Sequence, residues 1–178
     1  MKLSSCVCAV FLAVIMAATQ DASAQLAFPE IKNASDVAIS LQRGGGMGWG
    51  PSYRILISGN GNVKYEGYGG VFTRGQRTAR ISKVAVDQLI EEFHKARFFE
   101  LQDGYRSAAT DLPVCIIQFV AGTSSKKVVD HGLHSSHQEG LRSGAPPTLL
   151  QLETRIDEAV NSRRWVNGSW LRKLVRWH

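Results

Sequence analysis

Between Tyr53 and Glu66 the chain alternates apolar and polar residues on both sides of Gly59-Asn-Gly-Asn62. Tyr53, Ile55 and Ile57 share one face of the first run, and Val63 and Tyr65 share one face of the second. A period of two is the repeat of a half-buried strand, and an Asn-Gly pair between two such runs is the strongest short-range mark of a hairpin. A type I′ turn needs positive φ at both central residues, which Asn-Gly tolerates; a bulged or longer loop fits the same residues.

The flanking sequence extends this pattern. Val37, Ile39 and Leu41 alternate with polar or small residues through Gln42, which predicts another strand. Gly44 to Pro51 reads as a connection anchored by Trp49. Val71-Phe72 and Gln76 to Ile81 read as a weaker hairpin around Gly75. Ser82 stands where an N-cap hydroxyl would accept from a free backbone N–H. Val86, Leu89, Ile90 and Phe93 follow at helical spacing, so a helix is predicted over about Lys83 to Arg97. A loop runs from Asp103 to Pro113. A hairpin of Pro113 to Val120 and Lys126 to Asp130 then turns across Gly122-Thr-Ser-Ser125, and His131 to Pro146 reads as loop. Pro147 suits the first position of a helix striped by Leu149, Leu152, Ile156 and Val160. Strands joined by short turns make a mostly antiparallel sheet of about five to seven strands. Two main helices packed on one face make the class α+β.

Residues 1–24 carry the three parts of a secretory signal: Lys2, the apolar run Val7 to Ala18, and Ala22-Ser23-Ala24 before Gln25. That run is shorter than the ~20 residues that span a hydrocarbon core. The expectation is cleavage near Ala24 and a periplasmic or secreted protein. Residues 25–36 form a lead-in, 37–162 a single domain, and 163–178 a basic Trp-rich tail. With 44% apolar and 20% charged residues and a net charge of +6 the chain reads as globular rather than disordered. No long internal repeat suggests a solenoid. Cys6 and Cys8 lie within the signal, so Cys115 would be left without an intrachain partner. It sits in an apolar run as a small hydrophobe. A nucleophilic thiol needs a basic neighbour, and none is adjacent in sequence.

Gly-Pro-Ser-Tyr53 before a strand, Gly59-Asn-Gly61, Tyr65-Glu-Gly67, and Ile81 opening a helix that ends in Phe98-Phe99 and Leu101 form an ordered series. Tyr105, Thr110-Asp111, Pro113 and Asp130 complete it. In that order they resemble an uncharacterised bacterial envelope domain, the domain-of-unknown-function family numbered 6438, over roughly Val37 to Ser162. The resemblance implies an exported, non-enzymatic small domain and brings no catalytic residues or cofactor. Members of that family often carry Cys-x-Gly-x-Cys-Pro at the glycine-rich turn. Gly46 and Gly50 stand at those places here, so a bridge or thiol function at that turn is absent.

Several groups could carry chemistry. His131, His134, His137 and Glu139 lie close enough in sequence to bind zinc or copper through neutral imidazoles, although a solvated polar loop would hold the same residues. Asp103, Tyr105, Arg106 and Asp111 could do acid–base work on a small ligand, as in a hydrolase. Equally, Asp111 could bond turn amides before Pro113 while Tyr105 packs on the sheet. Gly44 to Gly50 could form an anion nest but lacks the Lys-Ser/Thr ending of a phosphate loop. After Glu158 there is no acid, and Arg163, Arg164, Arg172, Lys173 and Arg176 interleave with Trp165, Trp170 and Trp177. Such a segment suits an anionic membrane surface or an acidic envelope protein, or docks its tryptophans on its own domain. Export argues against nucleic acid. The expectation is an exported binding or interaction domain of the cell envelope, with a periplasmic metal-binding protein as the alternative and a hydrolase third.

Overall fold

A computed structural model describes residues 28–46, 50–133 and 139–168, except the side chain of Glu139. Among the described residues seven strands form one sheet: β1 (Val37–Gly44), β2 (Ser52–Ser58), β3 (Asn62–Gly69), β4 (Gly75–Arg80), β5 (Gly104–Arg106), β6 (Val114–Ala121) and β7 (Ser124–His131). Their order is β4-β3-β2-β1-β6-β7-β5. Every pairing is antiparallel except β5 with β7, which is parallel. The helices are α1 (Lys83–Lys95), α2 (Pro147–Val160) and the single turn α3 (Arg163–Val166). None of the described helices is long and apolar enough to cross a membrane.

The Asn-Gly hairpin forms as β2–β3, but with the longer loop. Gly61 N–H donates to Ser58 O at 2.8 Å, and Gly61 has φ 86° while Asn60 does not enter the positive region. Asn60 instead accepts from Asn62 N–H at 3.0 Å, a side-chain turn that replaces the type I′ geometry. The hairpin expected around Gly75 is corrected. Val71-Phe72 lies outside the strands, and β4 returns along β3.

Covered-face side chains line up across the strands in rows. Val63, Ile57, Ile39 and Phe119 are cross-strand partners, and the next row is Tyr65, Ile55, Leu41, Ile117 and Val128. All of these are buried. Onto them pack Val86, Leu89 and Phe93 of α1, and Leu149, Leu152, Ile156 and Val160 of α2. Ser82 caps α1 as expected, its hydroxyl accepting from Ala85 N–H at 3.1 Å. The helix stops at Ala96 because Arg97 turns left-handed at φ 51°, which swings Phe98 and Phe99 into the core. Phe28, from the segment read as a lead-in, packs its ring against His94, Phe99 and Phe119.

At the near end of the segment read as a tail, Trp165 docks on its own domain, one of the arrangements expected, and the domain boundary set at Ser162 moves outward. Trp165 is buried and stacks on Tyr65 with ring centroids 4.7 Å apart. The carbonyls of Trp165 and Val166 accept from the N–H groups of Thr73 and Phe72. Arg163 to Gly168 therefore belongs to the packed domain. Docking is geometrically available because Asn161, left-handed at φ 51°, ends α2 and folds the chain back toward the sheet.

Candidate functional site

The alternation that buries Val37, Ile39 and Leu41 puts Arg43 on the same face two residues later. Its row across the sheet reads Tyr53, Arg43, Cys115, Asp130, Tyr105. This is the polar end of an otherwise apolar face, lying next to the glycine-rich connection between β1 and β2. Helix α2 supplies the counter-charges. Glu153 and Asp157 are four residues apart, one turn along the helix, and both look down at the sheet.

The Arg43 guanidinium forks between them. Nη1 lies 3.0 Å from Glu153 Oε2, and Nε lies 3.0 Å from Asp157 Oδ2. Asp157 Oδ1 accepts from the Tyr53 hydroxyl at 2.7 Å and the Ser162 hydroxyl at 2.6 Å. One carboxylate thus ties together β1, β2 and the residue that leads into α3. Asp130 and Ser162 are each 2% exposed, as is Glu153.

The electrostatics follow from one cation among several acids at low dielectric. Burial works against the charged Arg43, but the carboxylates of Asp157 and Glu153 around it hold its pKa above the ordinary arginine value. Burial and the neighbouring Asp157 raise the Tyr53 hydroxyl. Burial lifts Glu153 to about 7; Arg43 opposes this and Asp130 adds to it. Burial also pushes the Cys115 thiol well up, against the pull of Arg43. Cys115 does have a basic neighbour after all, directly across the strand pair, where sequence adjacency could not reveal it. Desolvation outweighs that neighbour, so the thiol stays protonated and behaves as the small hydrophobe its run suggested.

The groups nominated by the sequence lie elsewhere. Asp103 is exposed on its loop and bonds Lys126 Nζ at 2.5 Å, which holds its carboxyl below the usual range. Tyr105 packs against the core, and its hydroxyl accepts from Gln102 N–H at 3.2 Å. Arg106 is exposed at the end of β5. Asp111 is exposed too, in a left-handed turn at φ 60°. The hydrolase reading needed the Asp103 and Asp111 carboxylates buried together, and neither is buried. His131 closes β7 half-buried, opposite Val114 and Arg106. His134, His137 and the Glu139 side chain lie outside the described residues. Among the described residues no three His, Cys, Asp or Glu side chains group to hold a metal.

Of the tail residues, Arg163 and Arg164 are exposed, with the Arg164 guanidinium 4.1 Å from the centre of the Trp165 ring. Trp165 is not a free membrane contact, because its ring is used inside the fold. Trp170, Arg172, Lys173, Arg176 and Trp177 lie outside the described residues, as do Trp49 and residues 1–24. At the glycine-rich turn, a Cβ on Gly46 would come 2.5 Å from Asp111 O. That close approach fits a turn with no side chain at this position.

Arg43, Glu153 and Asp157 were legible in principle. Each is a charged residue in phase with an apolar stripe: Arg43 continues an alternation, and Glu153 and Asp157 fall between Leu149, Leu152, Ile156 and Val160. Charged residues are seldom buried unless paired, so in-phase opposite charges on a strand and a helix are a contact signal.

A search of curated proteins gives no match for this chain. The family model described as Domain of unknown function (DUF6438) matches residues 37–160, from the first strand to the last residue of α2. The match takes in Arg43, Tyr53, Cys115, Asp130, Glu153 and Asp157 and stops short of Ser162 and Trp165. The chain belongs to the DUF6438 family.

Proposed function

We propose that this protein is an exported binding domain of the bacterial cell envelope that acts through its surface and performs no chemistry of its own. One observation carries the reading. Among the described residues, Arg43, Tyr53, Glu153 and Asp157 are engaged with one another beneath α2, where they clamp the helix to the sheet. A reaction centre needs such groups turned toward a ligand. The signal-like N-terminus supports export, and the acid-free stretch after Glu158 supports a basic contact with an anionic membrane or an acidic envelope protein.

Vesicle sedimentation tests this. The exported protein, and a version stopped after Asn167, are spun with neutral and anionic vesicles at low and high salt. The membrane form of the proposal expects only the complete chain to pellet, only with anionic lipid, and to be released by salt. If neither version pellets, that form fails and an acidic protein is the remaining partner. Recovery of the protein in the cytoplasmic fraction would remove the envelope assignment. Zinc or copper at one ion per chain in the purified protein would replace the reading with a metal-binding one.

A further inference from the structure

The two edges of the sheet are unlike. Strand β5 is three residues long, a short edge of the kind that resists added strands. Strand β4 is six residues long, and only Ala79 of it is not fully exposed. Its backbone is aimed outward in a definite pattern. Ile81 N–H donates to Gly61 O at 2.9 Å, toward β3. By alternation Arg77 and Ala79 also face β3, which leaves the N–H and C=O groups of Gln76, Thr78 and Arg80 pointing away from the sheet. The outward carbonyl of Gln76 is met by the guanidinium of Arg77 at 2.6 Å.

The charge along this edge is mainly positive, with Glu66 opposite Gln76 as the nearby acid on β3. From Gly67 to Val86 there is no acid, and Arg74, Arg77, Arg80 and Lys83 fall within it. Glu66 before the stretch accepts from the Tyr68 hydroxyl, and Asp87 after it pairs with Lys83. The exposed large apolar side chains among the described residues flank β4 in the sequence. Tyr68 is at the end of β3, Phe72 in the link to β4, and Val84 in the first turn of α1.

From this coincidence of open backbone, predominantly positive charge and nearby exposed apolar groups we infer that β4 is the docking edge for an extended acidic segment of another protein, added as a strand. Backbone hydrogen bonds from Gln76, Thr78 and Arg80 would hold it, and the arginines would select for carboxylates. A second copy of this chain is a poor occupant, because edge-to-edge pairing would bring two edges that each carry Arg74, Arg77 and Arg80 together. The inference is independent of the tail, which plays no part in it.

The probe is a labelled peptide of alternating Glu and Val, titrated by fluorescence anisotropy into the purified protein at about 20 and 200 mM salt. Saturable binding is expected, weakened about tenfold or more by the higher salt and by Arg77→Glu with Arg80→Glu. A peptide of the same sequence with alternate amides N-methylated keeps the charge but cannot pair as a strand, and should bind about tenfold more weakly. Thr78→Pro, checked for folding by circular dichroism, should weaken the unmodified peptide likewise. Equal binding of the methylated peptide would reduce the edge to a charged patch and overturn the inference. So would absence of binding at low salt, or single-stranded DNA binding more tightly than the peptide.

Discussion

Arg43 and Glu153 meet at 3.0 Å although one lies in the first strand and the other in the last long helix. Glu153 is almost fully buried, and the Arg43 side chain keeps about a quarter of its surface toward solvent. Removing one member of such a pair leaves the other charge in low dielectric, which costs more than the pair itself contributes.

Arg43→Met should therefore destabilise the protein by about 3 kcal/mol in urea unfolding at neutral pH. Pairing it with Glu153→Gln should recover part of the loss, because the second change removes one of the stranded charges. Strict additivity of the two would show that Arg43 and Glu153 do not interact in solution.

Stability should also depend on pH through Glu153. Its carboxyl sits near 7 in the fold against an ordinary value of 4.5, so the folded state holds this proton more tightly than the unfolded chain. That contribution is complete below the ordinary value and is lost as pH rises through about 7. Between about pH 5 and 8 the loss should be on the order of 2–3 kcal/mol, and Glu153→Gln should flatten the profile. A wild-type profile that rises over this range would contradict the assignment.

Trp165→Ala should cost about 3 kcal/mol, since it empties a buried site and removes the stack on Tyr65. Arg164→Ala, which loses only an exposed cation over the same ring, should cost about 0.5 kcal/mol. Thermal unfolding of both variants distinguishes a docked tryptophan from a peripheral one; comparable small losses would mean the ring is not held.

Cys115 should resist a thiol reagent such as an aromatic disulfide in the native state and react readily in denaturant. Burial both blocks access and keeps the sulfur protonated. Rapid labelling under native conditions would show that α2 opens easily from the sheet.

The elements with a strong period are legible in the sequence by themselves. The stripe of α2 and its start at Pro147, the cap at Ser82, the alternation of β1 and β2, and the apolar run of β6 turning at Gly122 into β7 all follow from local sequence. What local spacing cannot carry is what tertiary partners decide. Gly104–Arg106 has no pattern of its own and becomes a strand only because β7 offers it a parallel edge. Trp165 looks like part of a basic tail because the ring it stacks on comes from a strand far earlier in the chain. The histidines and exposed aspartates draw attention by residue type, whereas the buried cluster is made of charges that look ordinary until strand and helix phases are superimposed.

The position of β1 in the sheet bears on how the chain assembles during synthesis. It is the first made of the described strands and the central one in their sheet, with β2 on one side and β6 on the other. Strands β1 to β4 can pair as soon as they emerge, but β6 is separated from β1 by the whole of α1 and the loop beyond it. Until it arrives, one flank of β1 is a bare ladder carrying Ile39 and Leu41 with no helix α2 above them. A half-made molecule of this kind is a template for pairing with its neighbours. For a chain exported as proposed, staying unpaired until its C-terminal third has crossed the membrane would remove that hazard.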